Sequence, residues 1–117
     1  MVTPFAVSKQ DGGAGRSWLR VTGELDQDTG DGLAGLIANA AEQAGVTEVI
    51  VDLGHVTFLD ASGVRALLEG HDATSLRNCG FRVVNAHGLV HQVLDSIGLI
   101  GVLRVTSMKP AEADTGF

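Results

Sequence analysis

Residues 48–53, EVIVDL, form a nearly continuous apolar run, and this run restricts the fold of the chain more than any other feature. Such runs are typical of strands in a parallel sheet, because other layers cover those strands on both faces. Parallel neighbours need crossover connections, and segments with the apolar spacing of helices lie before and after the run. We therefore expect an α/β domain with a largely parallel sheet.

The segment before this strand has the pattern of an amphipathic helix. Asp26 and Asp28 are the two alternative N-caps, and Gly45 is expected to end the helix. The apolar residues recur at helical intervals, which places them on one face. They are Leu33, Leu36, Ile37, Ala40, Ala41 and Ala44.

A β-hairpin is expected at the start of the chain, and alternating helices and strands after residue 53. The hairpin has strands at residues 5–8 and 18–25 and a glycine-rich turn at residues 10–15. The later elements are, in order, a loop (54–58), a helix that opens at residues 60–63 and stops at 78–80, a strand (81–84), a helix (87–97) and a last strand (102–105).

The whole chain, residues 1–117, is expected to be one domain. Its core should span about residues 3–105, with a polar tail at residues 106–117. The expected fold is a mixed, mostly parallel sheet of four to five strands, with helices packed against it and the hairpin at its start. Trp18 and Phe58 are expected to pack in the core or under loops.

Composition excludes several kinds of function. The single Cys79 excludes a disulfide framework and a cysteine-rich metal cluster. The net charge of −6 argues against binding of a nucleic-acid backbone. No apolar run approaches the roughly 20 residues that span a bilayer, and the first residues lack the apolar core of a signal peptide. We therefore expect a cytoplasmic protein that binds neither nucleic acid nor membrane.

The acidic residues are concentrated in one part of the chain. Eight of the 14 acids lie between Glu24 and Asp60, a span without Lys or Arg. They form either a solvated helix face or a negative docking surface that would speed the encounter with a basic partner. The charge pattern leaves both interpretations open.

The sequence Asp60-Ala61-Ser62-Gly63 is the most informative short motif. Asp60 is a good N-cap, because its carboxylate can accept from the N–H of Ser62 or Gly63. Ser62 then lies in the first turn of a helix at the carboxyl end of the sheet, where α/β folds usually carry their sites. A purely structural role for the motif, as a cap and a close-packing glycine, remains an alternative.

The longer stretch around this motif resembles the signature of the STAS family, and in particular its bacterial anti-sigma factor antagonists. In that signature an apolar strand ends in Asp-Leu, a loop carries Val-x-Phe, and Asp-x-Ser-Gly opens a helix. Residues 52–53, 56–58 and 60–64 match these elements in order and spacing. Residues 21–26, VTGELD, and 80–85, GFRVVN, match two further strands, so the resemblance covers about residues 3–105.

The resemblance implies a regulator that is a substrate and not an enzyme. An anti-sigma factor serine kinase would phosphorylate Ser62, and Mg and ATP would belong to that kinase, so this chain needs no cofactor and no metal of its own. The unphosphorylated form would bind the kinase and release a sigma factor, and a phosphatase would reset the switch. We expect a monomer or weak dimer. The resemblance places the partner-binding residues at Asp26, Asp60, Ala61, Ser62, Gly63 and Arg65.

Three departures from the family pattern affect this interpretation. Ala61 replaces a frequent Ser and leaves Ser62 as the only hydroxyl in residues 60–64. Arg65 stands where a small residue is frequent, and it is either an exposed helix residue or a partner for a phosphate on Ser62. The usual final amphipathic helix is short, so a STAS scaffold or small-ligand sensor without a phospho-switch is the alternative function.

Three other kinds of site have weaker support. A hydrolase centred on Ser62 would need a nucleophile elbow, which the sequence lacks. His87 and His91 have a chelating spacing but no acidic third ligand beside them. Cys79 is interpreted as a small residue at a helix end rather than a redox thiol.

Overall fold

The computed structural model describes residues 4–108, which contain four strands and three helices. In chain order they are β1 (Ala6–Gly13), β2 (Arg16–Leu25), α1 (Gln27–Glu42), β3 (Glu48–Leu59), α2 (Ala61–Ser75), β4 (Gly80–Val84) and α3 (Gly88–Ser96). The strands form one sheet in the order β1-β2-β3-β4. β1 and β2 are antiparallel, whereas β2–β3 and β3–β4 are parallel. This arrangement confirms the predicted α/β fold with its N-terminal hairpin.

The apolar run predicted as a buried strand forms the middle of the sheet. Residues 49–53 of β3 are all buried, and their side chains alternate between two clusters. The larger cluster includes buried apolar residues from all three helices. The smaller one, on the opposite face, contains Trp18, Ile50 and Val84, with Met108 packed against them.

The hairpin turn is shorter than the sequence suggested. β1 and β2 stay paired as far as Gly13 and Arg16, so only Ala14 and Gly15 lie between the strands. Both have positive φ, 54° and 81°. The prediction of a turn over residues 10–15 was wrong because polar residues 10 and 11 continue the β-ladder on an exposed edge strand.

The predicted loop at residues 54–58 is also wrong, because β3 continues through it to Leu59. Its second half pairs with β2 from Thr22 to Leu25. The pairing shifts twice, and these irregularities break the period-2 alternation that marks a strand in the sequence. The longer strand carries the chain to the same edge of the sheet as the end of β2.

The last predicted strand, 102–105, is absent from the described part of the chain. Residues 101–104 form a turn with Arg104 at φ 53°, and one bridge between Val84 and Thr106 is the β-type pairing found there. Leu103 is buried, so its apolar character reflects packing rather than a strand. The predicted polar tail, residues 106–117, begins at Thr106, which this bridge joins to Val84. Residues 109–117 lie outside the described residues.

Glycines bring the first two helices close together side by side. A Cβ on Gly30 of α1 would lie 3.1 Å from the Cβ of Ala66 in α2. One on Gly70 of α2 would lie 2.5 Å from Cδ1 of Ile37 in α1. The contacting pairs, Gly30 with Ala66 and Ile37 with Gly70, advance in the same direction along both helices, so α1 and α2 run parallel. Their N-terminal turns therefore meet at the edge of the sheet where β2 and β3 end.

Candidate functional site

The candidate site is built where two parallel strands end and two helices begin. β2 ends at Leu25 and β3 at Leu59, and these two residues are paired in the sheet. The next residue in each case, Asp26 or Asp60, is the N-cap of the following helix. The backbone N–H of Asp60 donates to the carbonyl of Leu25 at 3.4 Å, which links the two strand ends.

Asp26 is the N-cap of α1, so the structure decides between the two predicted caps. Its carboxylate accepts from the backbone N–H groups of Asp28 and Thr29 at 3.0 and 3.3 Å. The N–H of Asp26 in turn donates to the Thr29 hydroxyl at 3.0 Å, which completes a capping box. Asp26 thus has a structural role as well as its predicted role in partner binding.

Asp60 caps α2 in the same way, through Gly63. Its Oδ1 accepts from the Gly63 N–H at 3.0 Å, which settles the alternative between Ser62 and Gly63. No hydrogen bond joins Asp60 to the Ser62 hydroxyl among residues 4–108. Asp60 therefore shapes the turn that carries Ser62 without contacting the hydroxyl itself.

Gly63 allows the first turn of α2 to lie directly on the strand ends. A Cβ at this position would lie 2.3 Å from the carbonyl oxygen of Leu25 and 2.7 Å from Cδ1 of Leu59. No side chain fits at these distances. The glycine therefore determines how closely the turn that carries Ser62 packs against the ends of β2 and β3.

Ser62 is partly exposed and opens into a groove of about 350 Å³ between α1 and α2. Two carboxylates and one guanidinium share this groove, from Asp31, Glu69 and Arg65. The predicted residues Ser62 and Arg65 are thus brought together, whereas Asp26 and Asp60 flank the groove as helix caps. Ala61 is exposed and Gly63 buried.

The structure divides the acidic residues into two groups. Three of the eight pair with arginines from outside the acidic span: Asp52 with Arg20 at 3.8 Å, Glu48 with Arg82 at 3.4 Å, and Glu42 with Arg77. The other five have no ion pair within the described residues and lie around the starts of α1 and α2. We call this group the acidic edge: Glu24, Asp26, Asp28, Asp31 and Asp60.

One exposed aromatic side chain beside the acidic edge was not foreseen. Phe58 was expected to be packed, but it is 38 % exposed near the end of β3, where it pairs in register with Glu24. Exposed aromatic residues are frequent anchors in protein interfaces. The preference of Phe for burial hid this feature in the sequence, and only the register of β3 reveals it.

A second unforeseen cluster surrounds Asp52 on the face of the sheet away from the helix cluster. Asp52 is buried and accepts from the Trp18 indole at 3.2 Å, the Gly54 N–H at 2.8 Å and the Asn85 amide at 3.2 Å. Asn85 also exchanges two hydrogen bonds with the backbone of Met108. An acid within an apolar run was the signal in the sequence. Its partners give it a structural role, since they join β2, β3 and the residue that follows β4.

The remaining candidate residues have local contacts of their own. Burial, with the nearby Glu48 carboxylate as a smaller cause, raises the pKa of the Cys79 thiol, so its reactive thiolate form is disfavoured. His87 precedes α3, and its Nε2 lies 2.9 Å from the carbonyl of Gly54. Between residues 4 and 108, no three His, Cys, Asp or Glu side chains are grouped to hold a metal ion.

Among the residues described, no helix has the length and apolar character needed to cross a membrane.

Known proteins that are similar to this chain include several anti-sigma factor antagonists. An anti-sigma F factor antagonist from Paenibacillus polymyxa is 24 % identical over 87 residues, which is 74 % of each chain. A solved anti-sigma factor antagonist from Mycobacterium paratuberculosis is 22 % identical, with a TM-score of 0.79 over 98 % of this chain and 97 % of that one.

A third similar protein has been solved in two forms. The anti-sigma factor antagonist SpoIIAA in its unphosphorylated form is 24 % identical, with a TM-score of 0.76 over 92 % of both chains. The Bacillus cell fate determinant SpoIIAA in the phosphorylated form is 23 % identical, with a TM-score of 0.71 over 92 % of this chain and 96 % of that one. At these identities the solved structures establish a shared fold.

The family assignment rests on the sequence itself. The family model of the STAS domain matches residues 6–114, which is nearly the whole chain. The match includes all four strands, the three helices and the Asp60–Ser62–Gly63 turn. The chain therefore belongs to the STAS domain family.

Proposed function

We propose that this STAS protein is an anti-sigma factor antagonist whose binding to an anti-sigma factor serine kinase is switched off by phosphorylation of Ser62. One observation carries the proposal: Ser62 is partly exposed in the first turn of α2, beside a groove and an unpaired acidic edge. The names of the similar proteins and the phosphorylated form of SpoIIAA support it.

In this proposal the chain is a phosphoacceptor and not a catalyst. The Ser62 oxygen would form a bond to the γ-phosphorus of ATP as the bond to ADP breaks, and a base of the kinase would take the proton. The kinase would supply Mg²⁺ and ATP, and a phosphatase would hydrolyse the phosphoserine to restore the active form. In this proposal the protein would act in the cytoplasm, with its partners.

A phosphate on Ser62 would be tolerated within the chain. Asp60 already occupies the Gly63 N–H, and the Val64 N–H donates to the Asp60 carbonyl. The N–H groups at the very start of α2 and the positive end of the helix dipole remain to stabilise a negative charge. We therefore expect phosphorylation to leave the thermal unfolding midpoint nearly unchanged.

The same phosphate would oppose binding to the kinase. It adds about −1.5 to −2 charges beside the acidic edge and is strongly hydrated. Burying it in an interface costs desolvation and like-charge repulsion, on the order of 2 kcal/mol or more. This corresponds to a rise in Kd of about 30-fold or more.

The test is incubation of the protein with its anti-sigma factor kinase, Mg and ATP. Intact mass should show one added phosphate, and peptide mapping should place it on Ser62. Calorimetry then measures the Kd for the kinase and the thermal unfolding midpoint of both forms. A higher Kd with an unchanged midpoint shows that phosphorylation weakens binding without unfolding the protein. A phosphorylated form that binds the kinase unchanged would contradict the proposal. A chain that gains no phosphate would favour a STAS scaffold or small-ligand sensor.

The acidic edge predicts salt-sensitive association with the kinase. Neutralising Asp28 and Asp31 (Asp28→Asn with Asp31→Asn) should lower the association rate severalfold at low salt, because the edge would steer a basic partner surface. Asp26 is left unchanged because it caps α1. Surface plasmon resonance at several salt concentrations measures the effect, and a flat salt dependence in the unmodified protein would contradict it.

A matched control for this double variant removes two exposed acids elsewhere. Asp72 lies near the end of α2 and Asp95 near the end of α3, away from the starts of α1 and α2. Asp72→Asn with Asp95→Asn changes the net charge by the same amount. It should leave the association rate close to that of the unmodified protein, since the steering depends on the position of the charges.

A further inference from the structure

Arg65 is the one cationic side chain among the residues that line the groove beside Ser62. It lies one helical turn beyond Ser62, so the two side chains share a face of α2, with Cβ atoms about 5–6 Å apart. The Arg65 side chain is exposed. Its length allows the guanidinium to reach the space in front of the Ser62 hydroxyl.

The guanidinium of Arg65 has no ion pair within residues 4–108, although two carboxylates line the same groove. The four ion pairs of the described chain involve Arg20, His71, Arg77 and Arg82. Asp31 on α1 and Glu69 on α2 are the acids nearest in the groove lining, and neither is paired with it. Arg65 is therefore available to a stronger anion.

A phosphate on Ser62 would be such an anion, and without Arg65 the neighbouring carboxylates would repel it. Asp31 and Glu69 line its groove, and Asp60 lies two residues away. The Gly63 and Val64 N–H groups are already used by Asp60. A guanidinium offers two parallel donors that match two phosphate oxygens, which makes it the group best suited to offset this repulsion.

We propose that Arg65 binds the phosphate on Ser62 and holds it in the groove between α1 and α2. The inference rests on the proposed function, since it concerns the phosphorylated form of the same site. Arg65 acts here as a positioning residue that stabilises the phosphorylated state. Held in this way, the phosphate is less accessible to a phosphatase, so Arg65 lengthens the lifetime of the inactive form.

The experiment uses full-length protein in which phosphoserine is incorporated at position 62 during translation, so it needs no kinase. ³¹P NMR follows the second ionisation of the phosphate as a function of pH. Arg65→Gln should raise that pKa by roughly half a unit, as expected from loss of a charge about 6 Å away in a largely solvated groove. Arg65→Lys keeps the positive charge but lacks the two parallel donors of the guanidinium. It should bring the phosphate pKa part of the way back to that of the unmodified phosphoprotein.

The control is Arg77→Gln, which removes the same charge beyond the far end of α2. It should leave the phosphate pKa unchanged. A non-specific phosphatase should hydrolyse the Arg65→Gln phosphoprotein severalfold faster than the Arg77→Gln one. Equal titration curves and equal hydrolysis rates for the two variants would overturn the inference. Circular dichroism verifies that both variants are folded.

This result is separable from the test of the proposed function. If the kinase does not phosphorylate Ser62, the proposed switch fails, yet the ³¹P titration still reports whether Arg65 contacts a phosphate at this position. If the kinase phosphorylates Ser62 but Arg65→Gln has no effect on the titration, the switch stands and the role of Arg65 is refuted.

Discussion

Ser62→Ala should abolish phosphate incorporation while preserving the fold and the binding of the kinase. Ser62 is the only hydroxyl in residues 60–64, and its side chain is partly exposed. It makes no hydrogen bond with the cap residue Asp60, so loss of the hydroxyl should change the free energy of unfolding by less than about 0.5 kcal/mol. The variant would remain bound to the kinase in the presence of Mg and ATP.

The measurement is intact mass after incubation with kinase, Mg and ATP, together with binding of both proteins in the same buffer. Thr57→Val is the matched control, because Thr57 is an exposed hydroxyl in the preceding strand and donates weakly, at 3.4 Å, to the Gly23 carbonyl. The control should gain phosphate like the unmodified protein. Phosphate on Ser62→Ala would place the acceptor elsewhere.

Gly63→Ala should cause the largest loss of stability among substitutions in this turn. The new Cβ would lie 2.3 Å from a backbone oxygen of β2, an atom that cannot move without distorting the sheet. Overpacking usually costs 1–3 kcal/mol, and a contact this close to backbone should reach about 3 kcal/mol or more. Urea unfolding followed by circular dichroism measures the loss.

Gly35→Ala is the control for this substitution. Gly35 lies within α1, and apart from the adjoining backbone of that helix a Cβ there would meet no atom within 4 Å. Alanine should stabilise that helix by up to about 1 kcal/mol, because it favours helix more than glycine does. Equal urea midpoints for Gly63→Ala and the unmodified protein would mean that the start of α2 adapts easily, and that its contact with β2 does not fix Ser62.

Local signals with a direct physical cause were readable from the sequence. The buried strand, the cap at Asp60 and the start of α2 each follow from a short pattern of burial or hydrogen bonding. They locate Ser62 at the edge of the sheet, which the structure confirms. The resemblance to the STAS family, carried by the same residues, agrees with the match of the family model.

Features that depend on distant partners could not be read in this way. The extension of β3 through residues 54–58 depends on an irregular register with β2. The division of the acids depends on arginines 32–35 residues away, as in the pairs Arg20–Asp52 and Arg77–Glu42. The groove itself exists because Gly30 lets α1 approach α2, and no local pattern encodes that distance.

The hydrogen bonds of Asp26 and Asp60 have a consequence for the entropy of association. Folding has already restricted both carboxylates to single orientations, through backbone N–H groups of their own helices. Immobilising a free, flexible side chain on binding costs about 0.5–1.5 kcal/mol. These two would lose almost no freedom against a partner. The acidic edge therefore combines two fixed acceptors with Glu24, Asp28 and Asp31, whose carboxylates accept no such cap hydrogen bond within residues 4–108. A partner would have to match the fixed pair in position, whereas the other three carboxylates could adjust to the partner.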